Sequence, residues 1–215
     1  GLLSREGAGR FHATPEGAAL LQAWRSAEAA FRLGLQRIDA LQKGLAGTVV
    51  LGVVSTGKYF APGLVARLRR ACPEIEVVLQ VGNRDTIISA LQDGALDLAI
   101  MGRPPREPMV ESLSIGVHPH VLIAPPDHPL AGQAGVTAAA VLAEPLLMRE
   151  PGSGTRILAT RFLDRIGEGK TYARSEMNSN ETIKQAVIAG LGIALISYHT
   201  VVEELRTARL VTLDL

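Results

Sequence analysis

The chain has a single cysteine in its 215 residues, Cys72, which excludes an internal disulfide and with it the disulfide-framework class of small secreted proteins. Placed between Ala71 and Pro73 at a helix end, that thiol reads as a small apolar filler rather than a nucleophile. No apolar run reaches the roughly 18 residues that a membrane-crossing helix needs. The formal net charge is +1, so overall charge argues neither for nor against a nucleic-acid partner. The amino terminus shows no basic segment followed by an apolar stretch and cleavage site, and a cytoplasmic protein is the expectation. Catalytic signatures are missing as well. There is no Gly-x-Ser-x-Gly elbow, and the glycine-rich turn at Gly152 lacks the Gly-Lys-Ser/Thr ending of a phosphate-binding P-loop. The five histidines, His12, His118, His120, His128 and His199, do not fall at helical metal-ligand spacing, although His118 and His120 would share one face of a strand. Neither a metal nor a cofactor is expected.

What is present is a repeated alternation of strands and helices. Thr48 to Val54 is a β-branched apolar run ending in Ser55-Thr56-Gly57-Lys58, and Pro62 opens a helix with Leu64, Val65 and Leu68 at helical spacing. Ile75 to Val81 is a second strand closed by Gly82-Asn83-Arg84, with Asp85 expected to cap the next helix. Leu96 to Met101 is a third, closed by Gly102-Arg103. Parallel neighbours need crossover connections, so this pattern predicts an α/β unit with a parallel sheet. Ligands of such sheets sit beyond the carboxyl ends of the strands. Here those ends carry Ser55, Thr56, Lys58, Asn83, Arg84, Gly102 and Arg103.

Ahead of this unit, residues 1–13 read as a turn between short strands. Thr14-Pro15 then opens a long helix, with Thr14 as N-cap. Written as heptads, Trp24, Phe31, Ile38 and Leu45 share one seam position and Leu20, Ala27, Gly34 and Leu41 the other, along a rod of roughly 45 Å. A seam of that length predicts a partner helix from a second subunit.

After Pro105 the sequence predicts strands over 110–115 and 117–124, the crossing into a second α/β unit of similar size. Ser153-Gly154-Thr155-Arg156 opens a helix whose unpaired N–H groups could hold an anion, the alternative being a plain cap by Ser153 or Thr155. Further on, Asn178-Ser179-Asn180 closes a strand, and Gly190 separates a helix from the strand ending at Ser197. Lys58, Arg84, Arg103, Arg149 and Arg156 all follow strands, and their convergence on one cleft would suit a carboxylate or phosphate.

The order of long amphipathic helix, first lobe and second lobe resembles the LysR-type transcriptional regulators of bacteria. The resemblance rests on Leu2-Leu3-Ser4-Arg5 with Thr14-Pro15-Glu16-Gly17, on Asp127-His128-Pro129-Leu130, and on Gly190-Leu191-Gly192-Ile193-Ala194. Within that family, residues 55–62, Gly82-Asn83-Arg84 and residues 99–105 look most like the regulators of Calvin-cycle (RuBisCO) operons. The resemblance implies a periplasmic-binding-protein-like fold of two Rossmann-like lobes joined by crossing strands. It divides the chain into the end of a DNA-binding wing (1–13), a linker and dimerisation helix (14–46) built on Leu20, Trp24, Ala27, Phe31, Ile38 and Leu41, a first lobe (47–118) and a second (119–215) without the family's return to the first. It implies an effector site at Ser55, Thr56, Lys58, Asn83, Arg84, Gly102, Arg103, Ser153, Gly154, Thr155, Arg156 and Asn178, filled by a small anionic metabolite such as a phosphorylated sugar or acid, or NADPH. Further implications are a homodimer or homotetramer, operator DNA bound through a domain outside this chain, no membrane partner and no enzymatic activity. Two alternatives share the architecture, a solute-binding protein for a small anion and an enzyme.

Overall fold

The computed structural model describes residues 1–6, 10–43, 47–168 and 171–215. Two short antiparallel strands, β1 (Leu3–Glu6) and β2 (Arg10–Ala13), precede a helix of 29 residues, α1 (Pro15–Lys43). Thr14 caps it, accepting the Gly17 N–H at 3.1 Å, and Pro15 stands at the first helical position, where it leaves no donor unpaired. The helix has two different sides. Ala29 is buried beside Gly94, and with Ser26, Leu33 and Gln36 it lies on the half-covered face toward the chain's own first sheet. The seam residues Leu20, Trp24, Phe31 and Ile38 face away, with Trp24 67% and Phe31 77% exposed. Leu45 and the side chain of Leu41 lie outside the described residues.

The first sheet is parallel, in the order β4 (Ile75–Gly82), β3 (Gly47–Val54), β5 (Leu98–Ile100). Helix α2 (Ala61–Ala71) follows β3 after a single 3₁₀ turn at Gly57–Tyr59, and α3 (Arg84–Gln92) follows β4. Val50, Ile87 and Leu96 form the small core beneath α3. The cap of α3 is Asn83, not Asp85. The Asn83 side chain accepts the Thr86 N–H at 2.9 Å, because β4 stops at Gly82 and the helix starts at Arg84, which places Asp85 inside its first turn.

The strand expected over 110–115 does not form. Residues 101–119 run without helix or strand, bending at 102–103 and 106–108, to β6 (His120–Ala124), and Met109, Leu113, Ile115 and Val117 are exposed. A strand needs a neighbour to take its N–H and C=O groups. On this side β5 offers only a three-residue edge.

The second unit is better filled. β10 (Val211–Thr212), β6 and β9 (Ala194–Ser197) form one antiparallel sheet, and β7 (Leu146–Arg149) pairs in parallel with β8 (Arg174–Met177). A bridge between Leu146 and Ile193 joins the two sheets into one layer. Alternation with period two sorts its side chains. Leu122, Leu146 and Met148 pack toward α4 (Ala138–Ala143) and α5 (Gly154–Gly167), while Ile123, Leu147 and Ile196 pack toward α6 (Asn180–Ile188) and α7 (Val202–Arg206). Both faces of the layer are therefore covered, and β7 ends in the cleft at Arg149.

Candidate ligand cleft between the lobes

The two units meet along their strand ends. Arg149 closes β7, is 3% exposed, and is the centre of the contact. Its Nε and Nη2 donate to the two carboxylate oxygens of Glu150 at 2.7 and 2.8 Å, its Nη1 donates to Asn180 Oδ1, and its Nη2 reaches across to Ser55 Oγ of the first unit at 3.2 Å. A fully buried guanidinium is tolerated only with such a set of acceptors. Asn180 is 0% exposed, and its Nδ2 has no partner, a buried donor of the kind that an incoming acceptor would satisfy. Burial opposes ionisation of Glu150, but the hydrogen bonds and charge of Arg149, with help from Asn83 at 3.4 Å, outweigh it and hold its carboxyl below the usual range.

A second bridge lies one turn away. Lys58 Nζ pairs with Glu181 Oε1 at 2.8 Å, and the Tyr59 hydroxyl donates to the same oxygen. Lys184, which pairs with Glu204 at 2.8 Å, places its ammonium 5.0 Å from the Tyr59 ring centroid. Burial, together with the hydrogen bond to Glu181 and its charge, raises the Tyr59 hydroxyl far above the ordinary phenol range, so it acts as a donor.

Thr56, Ser153 and Thr155 are buried as well. Ser153 stands at the N-cap of α5 without a side-chain cap bond. Gly152 has a left-handed φ of +83°, and its carbonyl accepts the Asp85 N–H at 3.2 Å; a Cβ there would lie 2.8 Å from Asp85 Oδ2.

Other sequence-expected residues have partners of their own or face solvent, although the Arg84 side chain packs against Gly154. Arg84 donates to the carbonyls of Arg103 at 2.6 Å and Pro104 at 3.4 Å, so it braces the loop after β5. Arg103 itself is exposed. Arg156 is held within the second unit by the Arg149 carbonyl and Glu176, each at 2.7 Å. The five cations thus do not converge; Arg149 and Lys58 cross the seam, and the other three have carbonyl or carboxylate partners or face solvent. Asn178 is exposed, and the asparagine turned inward is Asn180, two residues on. Gly102 packs near His118, whose ring stacks with His199 at 5.6 Å and lies 4.7 Å from His120, while Phe60 reaches His199 from the first unit at 5.4 Å. Burial, with the neighbouring rings, pushes His118 down to about 4, so its ring is uncharged at neutral pH. Among the described residues no group of histidine, cysteine and acidic side chains could hold a metal ion. Sequence reasoning placed Asn180 in the Asn178-Ser179-Asn180 group but missed Tyr59, Glu150 and Glu181, whose partners lie on the opposite lobe or beside them in a buried turn.

Two α/β lobes, opposed at their strand ends around buried donors, define an effector-binding domain of the periplasmic-binding-protein type. The LysR substrate binding domain family matches residues 42–215, and the chain belongs to it. It is 52% identical over 205 residues to the HTH-type transcriptional regulator CbbR of Cereibacter sphaeroides, covering 95% of this chain and 66% of the relative. It is 41% identical to the RuBisCO operon transcriptional regulator of Allochromatium vinosum, covering 82% and 58%. The chain therefore spans about two thirds or less of these relatives. Both are named as transcriptional regulators, which sets the enzyme alternative aside. Among solved structures, the regulatory domain of Synechocystis PCC6803 CcmR in complex with 2-PG superimposes with a TM-score of 0.72 at 40% identity, covering 78% of this chain and 80% of that one. Among the described residues no helix is long and apolar enough to cross a membrane.

Proposed function

We propose that this chain is the effector-sensing and oligomerisation region of a LysR-type regulator that controls a CO2-fixation (RuBisCO) operon. Its ligand is a small phosphorylated acid of the 2-phosphoglycolate kind, bound between the lobes. The observation that carries this reading is Arg149, buried where both lobes meet and bonded to Ser55 of the first lobe and to Asn180, whose amide has no partner. A guanidinium with hydroxyl and amide donors around it suits a phosphate better than a neutral solute. Ligand contacts on both lobes favour one lobe orientation, and only that difference in affinity can shift the population. Through α1 the shift reaches a DNA-binding domain outside these residues, in the cytoplasm, where the operator lies.

The binding test is a titration of the chain with 2-phosphoglycolate beside ribulose bisphosphate, phosphoenolpyruvate, NADPH and ATP. A phosphorylated acid that binds should raise the melting temperature, with the logarithm of its affinity at fixed ligand concentration. Thr56→Ala should lose that response, and Arg103→Ala should keep it, since Arg103 faces solvent. A chain that responds to none of the panel is not this sensor.

Oligomerisation gives an independent test. The exposed seam of α1 accounts for a partner helix, and burying Trp24 and Phe31 against a second copy would gain about 2 kcal/mol for each aromatic. Sedimentation should show dimers or larger, and Trp24→Glu with Phe31→Glu should give monomers that still bind ligand. A wild-type monomer would return the solute-binding alternative.

A further inference from the structure

The ion pairs at and beside the cleft leave little net charge for a ligand to use. Arg149 faces Glu150, Lys58 faces Glu181 and Lys184 faces Glu204, so each cation already has a carboxylate. An anion arriving here gains Coulomb energy only when one of those carboxylates leaves, since an unmatched negative charge in a half-buried seam is costly. The three are not equally free to leave. Glu204 and Lys184 have side chains only 13% and 10% exposed, and both belong to the second lobe, so nothing in that pair changes when the lobes separate. Glu150 is the chain neighbour of Arg149 and grips it with both oxygens. Glu181 is different on each count. Its side chain is 44% exposed, it uses one oxygen for both partners, and those partners, Lys58 and Tyr59, belong to the opposite lobe.

We propose that Glu181 is a built-in occupant of the anion position, a carboxylate that latches the lobes together when no effector is present and is displaced from Lys58 and Tyr59 when a phosphorylated effector binds. This rests on the effector reading above and adds the residue that sets affinity and selectivity. Glu181 is tethered in the first turn of α6, within reach of Lys58 at every moment, so it competes with free ligand as an intramolecular rival. A monocarboxylate exchanges one like charge for another and gains little over it. A phosphate brings close to two charges and three strong acceptor oxygens, enough to satisfy Lys58 and the Tyr59 hydroxyl together and to reach the Asn180 amide. The latch thereby selects phosphorylated acids over their dephosphorylated counterparts. Exchange of one bridge for the other converts a direct contact between lobes into one that passes through the ligand.

Calorimetric titration of wild type and Glu181→Gln with 2-phosphoglycolate and with glycolate is the test, with Lys58→Met and the double variant completing the cycle. Glutamine keeps the shape and removes the charge, so 2-phosphoglycolate should bind about five- to tenfold tighter and glycolate should become detectable. Lys58→Met should weaken binding, and Glu181→Gln on that background should give no gain. Equal or weaker binding of 2-phosphoglycolate by Glu181→Gln overturns the proposal, because Glu181 would then assist the ligand rather than compete with it. Amide exchange without ligand separates the two readings. Glu181→Gln should speed exchange of residues 57–60 and 181–184 several-fold. Failure of all four proteins to bind either anion removes the effector reading, and unchanged exchange removes the latch.

Discussion

Replacing Arg149 by methionine is expected to weaken 2-phosphoglycolate binding about 10- to 100-fold, the range set by the 1.5–3 kcal/mol of a hydrogen bond to a charged group. Methionine fills much of the same space along the stem, so loss of packing is small. What goes is the charge, together with the donors to Glu150, Asn180 and Ser55. Glu150 would then be left beside an apolar side chain, and a buried pair broken on one side costs roughly 3–5 kcal/mol, part of which Glu150 recovers by turning its partly exposed carboxylate toward water. Arg149→Lys distinguishes charge from geometry. Lysine retains the charge but not the fork that spans Glu150, Asn180 and Ser55 at once, so it should recover thermal stability more than affinity. Isothermal titration for affinity and calorimetric melting for stability check the pair. Full affinity in Arg149→Met would move the ligand away from the seam altogether.

How far such a site can be read in advance depends on whether its interactions are local. The heptad seam of α1 was legible because helical spacing puts Trp24, Phe31 and Ile38 on one side whatever the helix packs against, and the structure leaves them exposed. The alternating strands and helices were legible for the same reason. The cap of α3 was not, since Asn83 and Asp85 are both good caps, and the choice is made by where β4 stops pairing with β3. The strand expected over 110–115 has the right residues but no neighbour in the described chain to pair with. In the cleft, the strand-end rule located the hydroxyls of Ser55 and Thr56 and the turn before α5. It could not say which cations are free, because Arg84 and Arg156 use their donors on carbonyls that only the folded loops bring near. The carboxylates that matter, Glu150 and Glu181, carry no motif at all; Glu181 is separated from Lys58 by more than half the chain, and an ion pair of that kind exists only in three dimensions.

The largest effect on folding is expected from Gly192→Ala, with Gly190→Ala as its control two residues away. Both glycines have positive φ, +78° at Gly190 and +153° at Gly192, and each therefore carries a conformational penalty of about 1–2 kcal/mol when a Cβ is added. Their surroundings differ. A Cβ at Gly190 meets nothing within 4 Å, whereas one at Gly192 would lie 2.1 Å from the Pro145 carbonyl oxygen and 3.0 Å from its carbon. That oxygen accepts the Ile193 N–H at 2.9 Å, and the Ile193 carbonyl in turn accepts the Leu147 N–H at 2.9 Å. Relieving the collision means moving backbone, so both hydrogen bonds and the bridge that joins β7 to the antiparallel sheet are lost with it. Overpacking at about 1–3 kcal/mol, two hydrogen bonds at about 1 kcal/mol each and the φ penalty together cost roughly 4–7 kcal/mol, against a typical total of 5–15. At about 2–4 °C per kcal/mol for a chain of this size, Gly192→Ala should melt 10 °C or more below wild type and Gly190→Ala only a few degrees below. The two variants should also part in function. Arg149 stands at the end of β7, and the Leu146–Ile193 bridge holds that strand in register, so Gly192→Ala should lose 2-phosphoglycolate binding even at temperatures where it remains folded, while Gly190→Ala binds normally. Equal melting temperatures for the two would mean that β7 yields without cost, and the position of Arg149 would then have to be fixed by its partners in the cleft rather than by the sheet behind it.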